Sequence, residues 1–170
     1  IFNNMGIVTI TNSTFYSNTA GYGGGMENWQ GTLTINNSTF SRNSATYEGG
    51  ALWNSASSTL HLSNSILADS QNGGDCYNDG TMTNINTLVE DGACGSAITG
   101  DPVLGPLGDN GGPTWTMALL IGSPAIDAGH NATCEPSDQR GISRPVGAQC
   151  DLGAFEVELP YFVFLPAIER

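Results

Sequence analysis

Three stretches of the chain alternate apolar and polar residues in the same way. Residues 8–11, 33–36 and 60–63 each set two aliphatic side chains two positions apart, the period-2 signature of a strand with one buried face. They belong to longer copies of one unit. Gly6-Ile7-Val8-Thr9-Ile10-Thr11-Asn12-Ser13-Thr14-Phe15 recurs 25 residues later as Gly31-Thr32-Leu33-Thr34-Ile35-Asn36-Asn37-Ser38-Thr39-Phe40. Thr59-Leu60-His61-Leu62-Ser63-Asn64-Ser65-Ile66-Leu67 continues the series at an offset of 27, with the two extra residues falling within 55–58. That period is the length of one solenoid coil.

Each coil offers a second short strand at residues 13–16 or 38–41 and a third at 25–28 or 50–54, with Asn, Ser, Thr and Gly at the corners. Coils stacked about 4.8 Å apart form three parallel sheets around a narrow core. The predicted fold is all-β, a right-handed parallel β-helix with coils of about 25 residues. Its inward columns are Val8, Leu33 and Leu60; Ile10, Ile35 and Leu62; and Phe15, Phe40 and Leu67. Asn12, Asn37 and Asn64 share one corner position, either as a hydrogen-bonded amide ladder or as separate solvated turn residues. Ile1 and Phe2 align with Met26 and Glu27, so the chain is expected to open inside a third strand and to leave an adhesive, uncovered coil end there.

The repeat dissolves near residue 72 into Gly-, Asp- and Asn-rich loops. This divides the chain into coils (1–72), an irregular C-terminal cap (73–158) and an apolar tail (159–170). Strands are still expected in the cap at 81–90, 114–121, 125–128 and 154–157. All four cysteines fall in it: Cys76, Cys94, Cys134 and Cys150. None has Cys-x-x-Cys spacing, and an even count among such loops suits disulfides in an oxidising compartment. Of the three possible connectivities, sequential pairing (Cys76 with Cys94, Cys134 with Cys150) is favoured. In the tail, Tyr161-Phe162-Val163-Phe164-Leu165 would be apolar on both faces. It packs on its own cap or docks on another subunit by strand addition. Docking of that kind onto the open first coil builds a head-to-tail homopolymer.

Charge narrows the partners. The chain has a net charge of −12 with only four basic residues, Arg42, Arg140, Arg144 and Arg170. That balance removes the electrostatic term behind nucleic-acid affinity, and no apolar run reaches the roughly 20 residues of a membrane helix.

At this point a family resemblance appears. Phe15-Tyr16-Ser17-Asn18 and Phe40-Ser41-Arg42-Asn43 match the Phe-x-x-Asn repeat of polymorphic outer-membrane-protein adhesins, and Gly49-Gly50-Ala51-Leu52 matches their Gly-Gly-Ala-aliphatic motif. The stretch from Asp75 to Glu156 resembles the C-terminal region of bacterial extracellular choice-of-anchor Q β-helix proteins. It does so through Asp101-Pro102-Val103-Leu104-Gly105-Pro106-Leu107, Asp109-Asn110-Gly111-Gly112-Pro113-Thr114, Gly122-Ser123-Pro124-Ala125-Ile126-Asp127-Ala128-Gly129, Asp138-Gln139-Arg140-Gly141 and Cys150-Asp151-Leu152-Gly153-Ala154-Phe155-Glu156. The resemblance implies a secreted or surface-attached bacterial protein and no catalytic activity.

Parallel β-helices also carry polysaccharide lyases and glycosidases, so the chemical groups need their own test. The coils hold one cation, Arg42, and the acids Glu27, Glu48 and Asp69, with no spacing that singles out a catalytic carboxylate pair. His61 and His130 lack a second ligand at zinc spacing. Asp109-Asn110-Gly111 is the best local candidate for calcium, against a plain solvated turn. Arg140 and Arg144 would pair structurally with Asp127, Asp138 or Asp151. Tyr22, Trp29, Tyr47 and Trp53 lie near the third strand, where they either pack at a corner or form a carbohydrate-stacking strip.

The sequence therefore predicts a non-enzymatic extracellular structural protein of a bacterial surface that needs no cofactor and assembles into filaments. The alternatives are an adhesin or glycan-binding module, favoured by exposed aromatics, and a polysaccharide-degrading enzyme, favoured by a carboxylate pair beside an arginine in one cleft.

Overall fold

A computed structural model describes residues 1–158. Its strands build a parallel β-solenoid of four coils. One sheet stacks β1 (Phe2–Asn4), β5 (Met26–Trp29), β9 (Leu52–Asn54) and β12 (Cys76–Asn78). The second stacks β2 (Ile7–Thr11), β6 (Thr32–Asn36), β10 (Thr59–Ser63) and β13 (Thr81–Ile85). The third stacks β3 (Thr14–Tyr16), β7 (Thr39–Ser41), β11 (Ile66–Ala68) and β14 (Leu88–Val89). Two-residue strands β4 (Thr19–Ala20) and β8 (Ser44–Ala45) pair at a further corner. Beyond the coils, β15 (Leu104–Gly108) and β16 (Thr116–Leu119) form an antiparallel hairpin.

Register follows the repeat. Val8, Leu33 and Leu60 lie opposite one another, as do Ile10, Ile35 and Leu62, and Phe15, Phe40 and Leu67. Like side chains stacked at coil spacing exclude water along the whole column. Phe15 and Phe40 lie 4.4 Å apart with their rings 1° from parallel. Val8 and Phe15, in the first coil, are half-buried, whereas Leu33, Phe40 and Leu60 are fully buried.

The coils continue past residue 72, beyond the boundary drawn from sequence. β12, β13 and β14 complete a fourth coil, with Met82 in the Val8 column and Val89 in the Phe15 column. The residues no longer resemble the repeat, but the exposed edge of the third coil supplies a backbone template that needs only the alternation in β13. Residues 93 and 94 then close the end of the interior: Ala93 and Cys94 pack on the core, and Cys94 is bonded to Cys76. Residues 125–128 and 154–157, expected as strands, are not strands. They are held instead by single bonds between loops, such as Leu152 N to Ala125 O at 2.9 Å and Gln139 N to Ala154 O at 3.1 Å.

The asparagine ladder lies in a different column from the one expected. Asn12, Asn37 and Asn64 do not bond one another. The amides that do are Asn3, Asn28, Asn54 and Asn78, each donating from Nδ2 to the next Oδ1 at 2.7, 2.7 and 2.6 Å. Asn28 and Asn54 are fully buried, and Asn28 Nδ2 also donates to Gly31 O, so the ladder meets the needs of the tight turn after each third strand.

Asn12, Asn37 and Asn64, joined by Asn86, have φ between 44° and 50° and present their amides outward to a long C-terminal strap. Asn86 donates to Ala128 O (3.0 Å), Asn64 accepts from His130 N (2.7 Å), Asn37 accepts from Glu135 N (2.9 Å) and Asn12 donates to Ser137 O (2.8 Å). The strap thus descends the stack one coil per asparagine. Behind it, Leu119, Ala125 and Leu152 cover Ile66, Ala68 and Leu88 on the outer face of the third sheet, forming a second core. Cys134–Cys150 closes the strap as Cys76–Cys94 closes the end. Replacing Cys76 and Cys94 by Ala should lower unfolding free energy by about 3 kcal/mol. Denaturant midpoints of the variant and its parent check this.

Candidate functional site

The outer face of the first sheet carries an aromatic ridge. Register puts Glu27, Trp53 and Tyr77 in one outward column, and Trp29 lies one pleat further on. Trp53 stacks between Trp29 (5.9 Å, 10°) and Tyr77 (6.2 Å, 8°), and Tyr22 lies 4.8 Å from Tyr47 and 5.2 Å from Trp53. Trp53, 9% exposed, is the packed centre of the ridge. Trp29, 42% exposed, offers the free ring. The two expected roles, corner packing and an accessible strip, are therefore divided between two tryptophans.

A cleft of about 260 Å³ opens against this ridge, lined by Trp29, Gln30, Trp53, Ser55, Ser57 and Asp79. Its far wall is the loop 55–58, where the third coil carries its two extra residues. Ser55 Oγ accepts Gln30 N at 3.2 Å and Ser58 N donates to Ser55 O at 3.0 Å, so the loop is fixed to the neighbouring coil. Trp53 Nε1 is buried without an acceptor among the described residues. Asp79 is exposed, and its carboxylate has no hydrogen-bond or ion-pair partner among the described residues. The Tyr77 phenol is pushed above its ordinary value by the nearby charges of Glu48 and then Asp79, and burial raises the Glu27 carboxyl against the pull of the chain's amino terminus. The ridge is an electronegative surface.

A second cleft, about 350 Å³, lies between the corner after the third sheet and the β15–β16 hairpin. Tyr16, Arg42 and Asp69 come from successive coils, and Asp101, Val103 and Leu104 come from the hairpin side. Asp69 accepts from Ser41 Oγ at 2.9 Å, and Asp101 accepts from Val103 N at 2.7 Å. This arrangement places two carboxylates beside an arginine, a grouping that nothing in their sequence spacing revealed. Hairpin folding brings Asp101 back over the coils.

The strap holds the strongest electrostatics. Arg140 pairs with Asp138 (2.8 Å) and lies over the Phe155 ring at 3.7 Å. Arg144, expected to pair with an aspartate, pairs instead with Glu156 at 2.9 Å, both side chains being buried. Burial lowers the Arg144 guanidinium pKa against the opposing pull of Glu156. Burial likewise pushes the Asp151 carboxyl up to about 6, despite N–H bonds from Asp127 and Val157 that favour its charged form. Because the folded chain binds this proton more tightly than the unfolded chain, Asp151 makes its full favourable contribution below about pH 4. That contribution declines as pH rises and is gone above about pH 6. Asp151→Asn should therefore flatten the slope of stability between pH 4 and 6.5 by about 1–2 kcal/mol, as read from thermal melts across that range.

Other expected site residues are placed as follows. Ile1 and Phe2 lie at the exposed outer edge of the first sheet. Tyr161, Phe162, Val163, Phe164 and Leu165 lie outside the described residues. Asp109 Oδ1 accepts Gly111 N at 3.0 Å in a local turn, and no group of three metal-ligating side chains occurs among the described residues. His61 contacts Thr83 Oγ1 at 2.8 Å on an exposed strand face. No helix among the described residues is long and apolar enough to cross a membrane.

Fold and cross-links together define a disulfide-bonded parallel β-solenoid, and the disulfides mark a non-cytoplasmic protein. The chain matches no protein-family model, no curated protein and no solved structure.

Proposed function

We propose that this protein is a non-enzymatic, extracellular β-solenoid of a bacterial surface that binds polysaccharide through the Trp29–Trp53 cleft. The observation that carries the reading is an exposed tryptophan ring, Trp29, beside the Asp79 carboxylate, which has no partner among the described residues, in a shallow cleft. Sugars are recognised in this way, with an apolar ring face packed on an aromatic and hydroxyls bonded to fixed polar groups. A cleft of about 260 Å³ is smaller than the roughly 300–1,000 Å³ of pockets that enclose a whole ligand, and suits one unit of a longer chain. The resemblance of residues 75–156 to secreted β-helix proteins supports the same setting. Trp29→Ala should abolish retention on polysaccharide in affinity electrophoresis while lowering the melting temperature by only a few degrees, about the worth of one half-exposed ring pair. Equal retention of both proteins ends the reading.

A polysaccharide-cleaving enzyme is the second reading, favoured by Asp69, Asp101, Arg42 and Tyr16 in one cleft. Release of reducing ends from polysaccharide, lost in Asp101→Asn, would put it first. Filament assembly is a separate proposal that concerns residues 159–170, and electron microscopy with and without them tests it. Fibres that vanish on deletion support assembly; single particles in both samples end it.

A further inference from the structure

We infer that the Trp29–Trp53 cleft selects amino sugars with free, protonated amines, and so recognises a de-N-acetylated hexosamine polymer rather than a neutral or acidic glycan. This rests on the proposed glycan-binding role and adds the charge of the ligand.

Three observations lead to it. Asp79 lines the cleft with a carboxylate that no described residue neutralises. Glu27 and Glu48 extend the negative field along the ridge, and its effect is visible at Tyr77. The described arginines are all elsewhere: Arg42 lines the other cleft, while Arg140 and Arg144 are committed to Asp138 and Glu156 in the strap. A ring face and a free carboxylate with no described arginine beside them, the amino terminus lying toward Glu27 and not among the residues lining the cleft, attract an ammonium twice over, by charge and through the aromatic quadrupole. The same field, on a chain of net charge −12, repels uronates and sulfated sugars. A sugar ring bearing an amine presents an apolar face to Trp29 and an ammonium to Asp79, whereas a simple lysine side chain offers no ring face.

The test is a tryptophan-fluorescence titration of the full chain with four probes: glucosamine oligomers, their N-acetylated counterparts, a neutral glucan oligomer and an oligolysine peptide. The expected result is affinity for glucosamine oligomers roughly tenfold above the acetylated and neutral ones. The difference should shrink severalfold in 0.5 M salt and in Asp79→Asn, with Glu48→Gln giving a smaller reduction. Asp79 and Glu48 are exposed, so both variants should fold, and circular dichroism checks that they do. Equal affinity for amino and neutral oligomers overturns the inference while leaving the glycan-binding reading intact. Oligolysine binding as tight as glucosamine overturns it in favour of a general cation surface. Binding of no saccharide removes both the inference and the reading.

Discussion

Phe40→Ala is expected to lower the unfolding free energy by about 3–5 kcal/mol, the cost of a large cavity at a site that cannot collapse. Phe40 is fully buried, stacked on Phe15 and opposite Leu67 in its column. Its neighbours are held at coil spacing by backbone hydrogen bonds, so they cannot move in to fill the space. The lost ring pair adds about 0.5–1.5 kcal/mol. Phe15→Ala should cost clearly less, because that ring is only half-buried. Urea denaturation of the two variants measures the difference, and equal losses would show that Phe40 is not the centre of a rigid column.

The second large effect lies in the strap. Glu156 pairs with Arg144, and its oxygens also accept Val146 N (2.7 Å) and Asp151 N (2.9 Å). Glu156→Ala leaves a buried guanidinium without its counter-charge and two backbone N–H groups without acceptors, which should cost about 3–5 kcal/mol. Arg144 also donates to Asp151 O and Gly153 O, so the same substitution loosens the segment that covers the third sheet. Arg144→Met combined with Glu156→Leu should recover part of the loss, because a paired apolar replacement removes the stranded charge. It should not recover all of it, since the two backbone donors stay unpaired. Denaturant unfolding of the single and double variants gives both numbers, and a double variant no better than Glu156→Ala would mean that the backbone bonds dominate.

The two effects differ in how far they could be foreseen. Phe40 was legible as a core residue because its column repeats at a fixed offset. The ion pair was not, because Arg144 and Glu156 meet only after the strap has crossed the coils. Asn3, Asn28, Asn54 and Asn78 show an intermediate case. They recur at separations of 25, 26 and 24, no less regularly than Asn12, Asn37 and Asn64 at 25 and 27, but outside the aligned strand-and-corner segment in which the repeat is plainest. Both columns repeat. Only the direction in which each side chain points decides that one forms an internal ladder while the other receives the strap.

The cleft beside Trp29 divides in the same way. The two-residue excess in the third coil was visible, and so were the aromatics near the third strand. That the excess becomes a wall, with Trp53 packed beneath and Trp29 left free, depends on how a loop anchored at Gln30 and Ser55 folds back on the neighbouring coil. Asp79 joins it from the fourth coil, in a region where the repeat has faded from the residues.

By itself, then, the sequence determined the solenoid, its coil length and its three inward columns. A repeat that buries like on like is specified by nearest neighbours, each coil presenting the template for the next. The tertiary structure alone decided where the coils stop, which asparagines form the ladder, where the strap lies and which groups meet in the clefts. The strap's contacts with the coils join residues about a hundred positions apart, such as Asn37 with Glu135. Such contacts have no period, and they follow only from the closing of the chain onto its own finished stack.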